Sequence, residues 1–402
     1  MALKKKFVLV LLAVCVFSGM LVNYLHRVPK RHYCDFRVYY KAGQDILHKK
    51  DIYYRESQEI TPFKYSPFFA FIFAPLSLLP IKAAAGVFFG INFILTILLF
   101  RLSFHLARDA VVFSEKQGFV IYALALLCIF RYILLVWDSG QVTLLMDVFV
   151  LLCLSALIKD RQEAAGAFLA VAILIKYTPA IFLPYFILIK KPKVVLWTII
   201  FAGLFLMLPS LVVGLHENFS YLTSWIPSII ATSLDHGSYI DCKNQSIFSM
   251  VLRFFSPTQY NSQLISLSFI HAMRVAYVLA FLLYVVALIP VKKGTNRLVI
   301  DFILIFICMI LFNPNAWMTN FMGLVMPFLF LIQYSMVQRP RPWLVVAVVV
   351  MACVLINITS QSLVGADMER SGNIYSLTTM GALVLFMALA WIKFSSLPLR
   401  KS

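Results

Sequence analysis

Charge is scarce in this sequence: Asp, Glu, Lys and Arg supply only 13% of 402 residues, against 62% hydrophobic. A soluble fold could not cover so apolar a chain with polar surface, so the composition excludes an ordinary globular protein and defines a membrane one. The signatures of many soluble catalysts are missing as well. There is no glycine-rich phosphate loop, no His-Glu zinc pattern, no CxxC pair and no Gly-x-Ser-x-Gly elbow, so the usual carriers of nucleotide, zinc, dithiol and serine-hydrolase chemistry are lacking. The first polar interval has no Asp-x-Asp, and the nearest carboxylate pair, Asp367 and Glu369, reads as a solvated loop. Neither a metal nor a cofactor is expected.

Cysteine is sparse and scattered. Cys15, Cys128, Cys153, Cys308 and Cys353 lie in apolar runs and read as small core residues. Cys34 and Cys242 fall in polar intervals instead, where an oxidising compartment would allow a bridge between them. Acidic residues are also few, 17 against 35 Lys and Arg, for a formal charge of +18. In a soluble chain that excess would point to nucleic acid. Here many cations stand at the ends of apolar runs, as the positive-inside tendency requires, so the expected partners are membrane lipids and not nucleic acid.

What the chain has in abundance is apolar runs of helical length, which argue for an all-α polytopic protein and against a β-barrel of short alternating strands. After three lysines in Met1–Lys6, Phe7–Leu25 reads as an uncleaved first span with its N-terminus in the cytoplasm. Tyr65–Pro80 is apolar, short and bounded by proline, and reads as a segment that dips without crossing. Further spans are read at Ala83–Leu102, Phe119–Trp137, Leu144–Leu157, Val194–Val213, Phe269–Ile289, Leu298–Phe312, Phe321–Tyr334, Leu344–Ile358 and Thr378–Ile392. The run Ala165–Ile189 is interrupted by Lys176 and Pro179, which predicts a broken helix or two half-length ones. Counting it as two passes gives about twelve spans and puts the basic turns on one side.

A single membrane domain, 1–402, is therefore expected, with two long extracytoplasmic loops at 26–65 and 215–263. Residues 35–65 are polar and tyrosine-rich, lie between the first span and the rest, and predict a helical loop that forms one wall of a reaction chamber. The second loop, Leu215–Gln263, is long and aromatic enough to be a lid.

Asp35 is the first carboxylate after the first span. Partly shielded from water at the interface, such a group gains a raised pKa and suits a general base that takes a proton from a sugar hydroxyl; the alternative is a helix cap for the amphipathic stretch Phe36–Leu47. Lys176 sits in AILIKYTPAIF, and a lysine inside a span costs about 2.5–3.5 kcal/mol on insertion scales, so it should face a cavity, an anion or water. A snorkelling lysine is the alternative. Three polar clusters, Asp138–Leu145, Cys242–Phe248 and Asn313–Asn320, introduce apolar segments from the same side, and offer Asn, Gln and Trp, which hydrogen-bond sugars or present them a flat apolar face.

In order along the chain, these stretches resemble the bacterial polyprenyl-phosphate-mannose-dependent alpha-mannosyltransferases, integral membrane glycosyltransferases of the GT-C type. The matching residues are Asp35-Phe36 with Tyr39, Tyr40, Ala42 and Gly43; Asp51-Ile52-Tyr53; Lys64 to Phe68 through Pro75 and Leu79-Pro80; Gly140-Gln141-Val142; Ala165-Gly166 with Ile175-Lys176 and Pro179; Asn244-Gln245-Ser246 with Arg253; and Asn313-Pro314 with Trp317. The resemblance implies a GT-C-like fold at the cytoplasmic membrane and an inverting transfer, on its extracytoplasmic side, from a polyprenyl-phosphate sugar to a lipid or cell-envelope glycan. It assigns Asp35 as base. Lys64, Lys176, Lys243 and Arg253 become candidate partners of the departing phosphate, and Tyr39, Tyr65, Gln141, Asn244, Gln245, Trp317 and Asn320 candidate sugar or acceptor contacts. Members of that family usually carry histidine shortly after the late Trp, where this chain has Asn320. An amide hydrogen-bonds a sugar but cannot shuttle a proton, so a pentosyl donor such as arabinofuranose stays open beside mannose. A transporter or flippase of lipid-linked sugars is the alternative function, since outer cations would bind the same phosphate without catalysis.

Overall fold

The computed structural model describes residues 17–26, 35–53, 62–110, 115–233, 236–260, 262–289, 295–338 and 342–395. All of the regular structure among the described residues is helical. Most of the first span, Cys34 with its proposed bridge, and the basic groups at Met1–Lys6, Lys292–Lys293, Arg339, Arg341 and Arg400–Lys401 lie outside the described residues.

The chain opens with α1 (residues 17–26), α2 (Asp35–Leu47), α3 (Pro67–Ser77), α4 (Ile81–Ala110), α5 (Glu115–Ser139), α6 (Thr143–Ile158) and α7 (Gln162–Ile175). A 3-10 turn, Thr178–Phe182, leads to α8 (Leu183–Leu188), α9 (Pro192–Met207), α10 (Ser210–Val213), α11 (Leu215–Ser233), α12 (His236–Ile240) and α13 (Ile247–Phe255). Then come α14 (Phe269–Leu288), α15 (Thr295–Leu311), a second 3-10 turn at Met318–Leu324, α16 (Val325–Val337), α17 (Trp343–Asn357), α18 (Gln361–Ile374) and α19 (Leu377–Phe394).

Six stretches among the described residues are long and apolar enough to cross a membrane: Ile81–Arg108, Gln117–Ser139, Pro192–Val213, Phe269–Leu288, Met318–Val337 and Leu377–Phe394. A seventh is added if α17 and α18, bent by 83°, count as one span. The protein is thus a multi-pass membrane protein. The sequence reading counted α6, α7, α8 and α15 as crossings too; they are apolar but shorter than the roughly 20 residues that a straight crossing needs. The predicted break in Ala165–Ile189 is present: Lys176 is extended (φ −142°, ψ 136°) between α7 and the 3-10 turn.

The 3-10 turn with α16 forms the centre, 83% of its apolar window being buried by other helices, whereas Pro192–Val213 is 17% buried and presents Leu196, Ile199 and Leu204 outward. A helix apolar on all sides belongs in the middle of a membrane bundle. On one flank, the ammonium of Lys393 in α19 lies 2.8 Å from Asp301 in α15, and Tyr185 in α8 donates to the same carboxylate at 3.2 Å. Buried charges persist only when paired, and this pair ties three helices together.

The first loop is helical, as expected. Phe36, Val38, Tyr39, Ala42, Gly43 and Ile46 are buried on one side of α2, the i, i+3, i+4 spacing of an amphipathic helix. That face packs on α3 at close range: a Cβ on Gly43 would meet Ser77 Oγ at 2.2 Å, and Ser77 donates to the Tyr40 carbonyl at 2.9 Å. Ser66 caps α3 by accepting from Phe69 N, with Pro67 at the first helical position. Its hydroxyl also donates to the Leu174 carbonyl, which fixes α3 against the last turn of α7 beside Lys176.

Candidate active site

Helix α5 ends at Gly140, whose φ of +64° is the left-handed conformation that lets a helix stop abruptly, and Gln141 N closes the cap by donating to Val136 O at 3.1 Å. A Cβ at Gly140 would sit 2.6 Å from the Tyr24 hydroxyl and 2.8 Å from Phe36 Cβ. Only glycine permits α1, α2 and the end of α5 to meet so closely. The turn delivers the Gln141 side chain to α2, where Tyr39 donates to Gln141 Oε1 at 3.2 Å. Tyr39 in turn lies 3.0 Å from the Tyr65 hydroxyl, with rings edge-on against Tyr65 and Phe69 at 5.1 Å. Burial pushes the Tyr39 phenol well above its ordinary pKa, and the neighbouring Tyr65 and Asp35 add to the shift, so it stays a protonated donor.

Lys176, freed from α7 by the break, turns its ammonium into this polar ring. Its Nζ donates to Thr143 Oγ1 at 2.7 Å, Asn320 Oδ1 at 3.2 Å and Gln141 Oε1 at 3.5 Å. Asn320 is held for the purpose: its Nδ2 donates to the carbonyls of Trp317 at 3.1 Å and Asn315 at 3.3 Å, so its oxygen is left to face the lysine. The counter-charges of Lys176 are the carboxylates of Asp35 and Asp147.

Asp35, the first residue of α2, stands half-buried at the edge of the ring. Burial raises its pKa above the ordinary carboxylate range, and it is pulled back by Lys176, by a hydrogen bond with the Gln141 side chain and by Lys64. The environment is therefore that of a base whose basicity is raised without its charge being forbidden.

These groups surround a cavity of about 190 Å³, walled by Asp35, Lys64, Gln141, Lys176, Trp317 and Asn320, with Trp225 and Ile229 of α11 on one side. It is smaller than the roughly 300–1,000 Å³ of drug-sized pockets and suits a group the size of one sugar ring. A larger cavity of about 910 Å³, between α1, α4 and α5, has an almost wholly apolar lining that includes Phe17, Phe93 and Trp137. It offers hydrocarbon a place and, apart from Arg101 and Tyr122, no titratable group; no carboxylate lines it, so the chemistry belongs to the smaller one.

Of the residues named from sequence, Asp35, Lys64, Tyr65, Gln141, Lys176, Trp317 and Asn320 line this cavity, and Tyr39 supports it from beneath. The others stand apart. Lys243 is exposed away from it. Asn244 and Gln245 are buried and structural, Asn244 donating to Pro314 O at 2.7 Å and Gln245 to Cys242 O and Asn373 O at 2.7 and 2.9 Å. Arg253 is wholly buried, its guanidinium donating to Ile374 O, Asp241 O, Asn244 O, Ser249 Oγ and Ser376 Oγ at 2.6–3.0 Å. It staples the second loop to the start of α19 and has no donor turned toward the cavity. Sequence reasoning did not single out Thr143, Asn315 or Trp225. Thr143 lies inside the polar cluster at Asp138–Leu145 and Trp225 inside the aromatic second loop, but nothing in either stretch marks those positions.

A helical membrane protein that keeps a polar, sugar-sized chamber lined by a carboxylate and two ammonium groups has the makings of a membrane-embedded glycosyltransferase of the GT-C type. The particular family follows from its sequence: residues 63–314 match glycosyltransferase family 87, and the chain belongs to that family. Among curated proteins none matches the chain. The matched stretch begins after Asp35 and Tyr39 and ends before Trp317 and Asn320, so the family match does not itself cover these four.

Proposed function

We propose that the protein transfers a single sugar, most simply mannose, from a polyprenyl-phosphate donor to a lipid or cell-envelope glycan, with inversion, at the outer face of the cytoplasmic membrane. The observation that carries this reading is the placement of Asp35 and Lys176 on one sugar-sized cavity, each the other's counter-charge. Asp35 takes the proton of the acceptor hydroxyl as its oxygen attacks the anomeric carbon. The bond from that carbon to the phosphate oxygen breaks, and its electron pair leaves with the polyprenyl phosphate. Lys176 and Lys64 balance the charge that develops there, in a site poor in water where such balance is strongest. Lys243 and Arg253 have no part in this scheme. A flippase needs no base, and family membership supports transfer instead.

The test is sugar transfer from radiolabelled polyprenyl-phosphate-mannose to lipid extract, comparing the purified protein with Asp35→Asn. Product from the native protein alone establishes reaction and base together. Transfer by both removes Asp35 from the mechanism, and transfer only from a pentosyl donor corrects the sugar.

A further inference from the structure

Helix α11 presents two distinct faces. Asn218, Tyr221, Trp225 and Ile229 follow one another at i, i+3 or i+4 and turn toward the protein: Asn218 Nδ2 donates to Leu206 O and Ser210 Oγ, each at 2.9 Å, Tyr221 donates to Lys50 O at 2.7 Å, and Trp225 and Ile229 reach the cavity. Phe219, Ile226 and Ile230, on the other side, are 51–60% exposed. The helix is thus pinned at its beginning and brings one indole to the chamber. That indole is unusual. Its Nε1 is buried from solvent and has no hydrogen-bond acceptor among the described residues, although buried tryptophan N–H groups usually find one. The orphan donor lies on the wall of a cavity whose other polar groups include Lys64, Lys176 and Asp35. The acceptor it lacks is one that a bound oxygen-rich ligand would bring.

We infer that Trp225 is a substrate-binding residue, its indole N–H donating to an oxygen of the glycosyl phosphate held between it and Lys176. The inference rests on the glycosyl-phosphate reading of the site. A phosphate oxygen and a sugar hydroxyl are equivalent acceptors for this donor, and both belong to the same ligand. Because the ground state already contains that oxygen, the contact strengthens binding; a contact to a sugar hydroxyl leaves the chemical step alone, and one to a phosphate oxygen also assists the departure.

The experiment uses the full chain in lipid nanodiscs, native and Trp225→Phe, which keeps a ring but deletes the N–H. Equilibrium binding is measured for short-chain polyprenyl phosphate and for polyprenyl-phosphate-mannose, and steady-state transfer for the latter. The expected result is a 5- to 30-fold rise in donor Kd and KM at unchanged Tm, with kcat within twofold for a sugar contact and a fall in kcat added to it for a phosphate contact. Weaker binding of both ligands places the partner oxygen on the phosphate, and weaker binding of the mannosylated one alone places it on the sugar. Equal affinity of the two proteins for both ligands overturns the inference, as does a fall in kcat at constant KM. Should the native protein transfer no mannose while the variant still loses polyprenyl phosphate, the inference stands and the mannosyl reading falls. Should Trp225→Phe lower Tm, Tyr221→Phe, which removes the pin to Lys50 O away from the cavity, supplies the control for general loosening of α11; an equal rise in donor Kd in that variant counts against a specific N–H contact.

Discussion

The ammonium of Lys176 lies 3.2 Å from Asn320 Oδ1, joining a break in one helix to the start of a 3-10 turn 144 positions later. This contact closes the polar ring on the side opposite α2. Replacing Lys176 by Met deletes three hydrogen bonds and the central cation. Charge-assisted contacts are worth about 1.5–3 kcal/mol each, so kcat/KM for the lipid-linked donor should fall at least 10²-fold. Lys176→Arg should recover little, because a planar fork does not fit three acceptors arranged around a point. Steady-state transfer assays decide both.

The raised pKa of Asp35 gives transfer a pH dependence of definite sign. A base must be ionised, so kcat/KM should rise with pH through an apparent pKa above the ordinary carboxylate value of about 3.9. Stability moves the other way. With its folded pKa above the unfolded one, the native state holds more protons across the interval between the two, so stability is greatest below the unfolded value and falls as pH rises through the folded one. Thermal melts of Asp35→Asn should lack this fall, and at neutral pH the variant should melt higher than the native protein while transferring no sugar.

Gly140→Ala should be among the most damaging small substitutions. Its φ is positive, and the added methyl meets the Tyr24 hydroxyl and Phe36 Cβ inside contact distance. Left-handed backbone alone costs about 1–2 kcal/mol for a non-glycine residue, and moving α2 adds to it. The expected outcome is a lowered Tm together with a loss of transfer, since Gln141 is displaced from Tyr39. A variant that melts like the native protein and transfers normally would refute this account of the turn.

Arg253→Lys separates structure from catalysis. A lysine ammonium cannot satisfy five acceptors spread along a guanidinium, and orphaned buried groups cost about 1–3 kcal/mol each. The melting temperature should drop by several degrees, while donor KM in the protein that remains folded stays near native.

Asp147→Asn tests the far side of Lys176. Both carboxylate oxygens of Asp147 are buried without a hydrogen-bond partner among the described residues, an arrangement that costs stability and is tolerated where it serves a site. The amide should raise Tm and lower kcat severalfold, since Lys176 keeps Asp35 but loses its second counter-charge. Melts and single-turnover transfer read the two effects separately.

Lys176 was legible in the sequence because an ammonium in an apolar run has to be accounted for, and Asp35 because it is the first carboxylate beyond the first span. Arg253 has the same appearance, a cation among apolar residues beside a polar cluster, yet its partners are mostly backbone carbonyls, and no side-chain pattern announces where carbonyls point. Thr143 escaped for a related reason: its hydroxyl matters only because α7 stops one residue before Lys176. Crossings are harder to count from apolarity than from length: among the described residues six or seven stretches are long enough, while α6 and α15 have the composition of a span at 16 and 17 residues. The first-loop helix was readable because amphipathic spacing survives without knowledge of its neighbour.

The short helix α7 bears on the bilayer itself. Fourteen residues rise about 21 Å, against a hydrocarbon thickness of about 30 Å, so α7 by itself is too short to carry the chain across the oily layer. The ammonium that follows is met by the protein itself, through Thr143, Asn320 and Gln141 with Asp35 and Asp147 as counter-charges. Activity should therefore respond to the acyl chain length of the host lipids, higher in thin bilayers than in thick ones, because a short helix is matched with less distortion by a thin hydrocarbon layer.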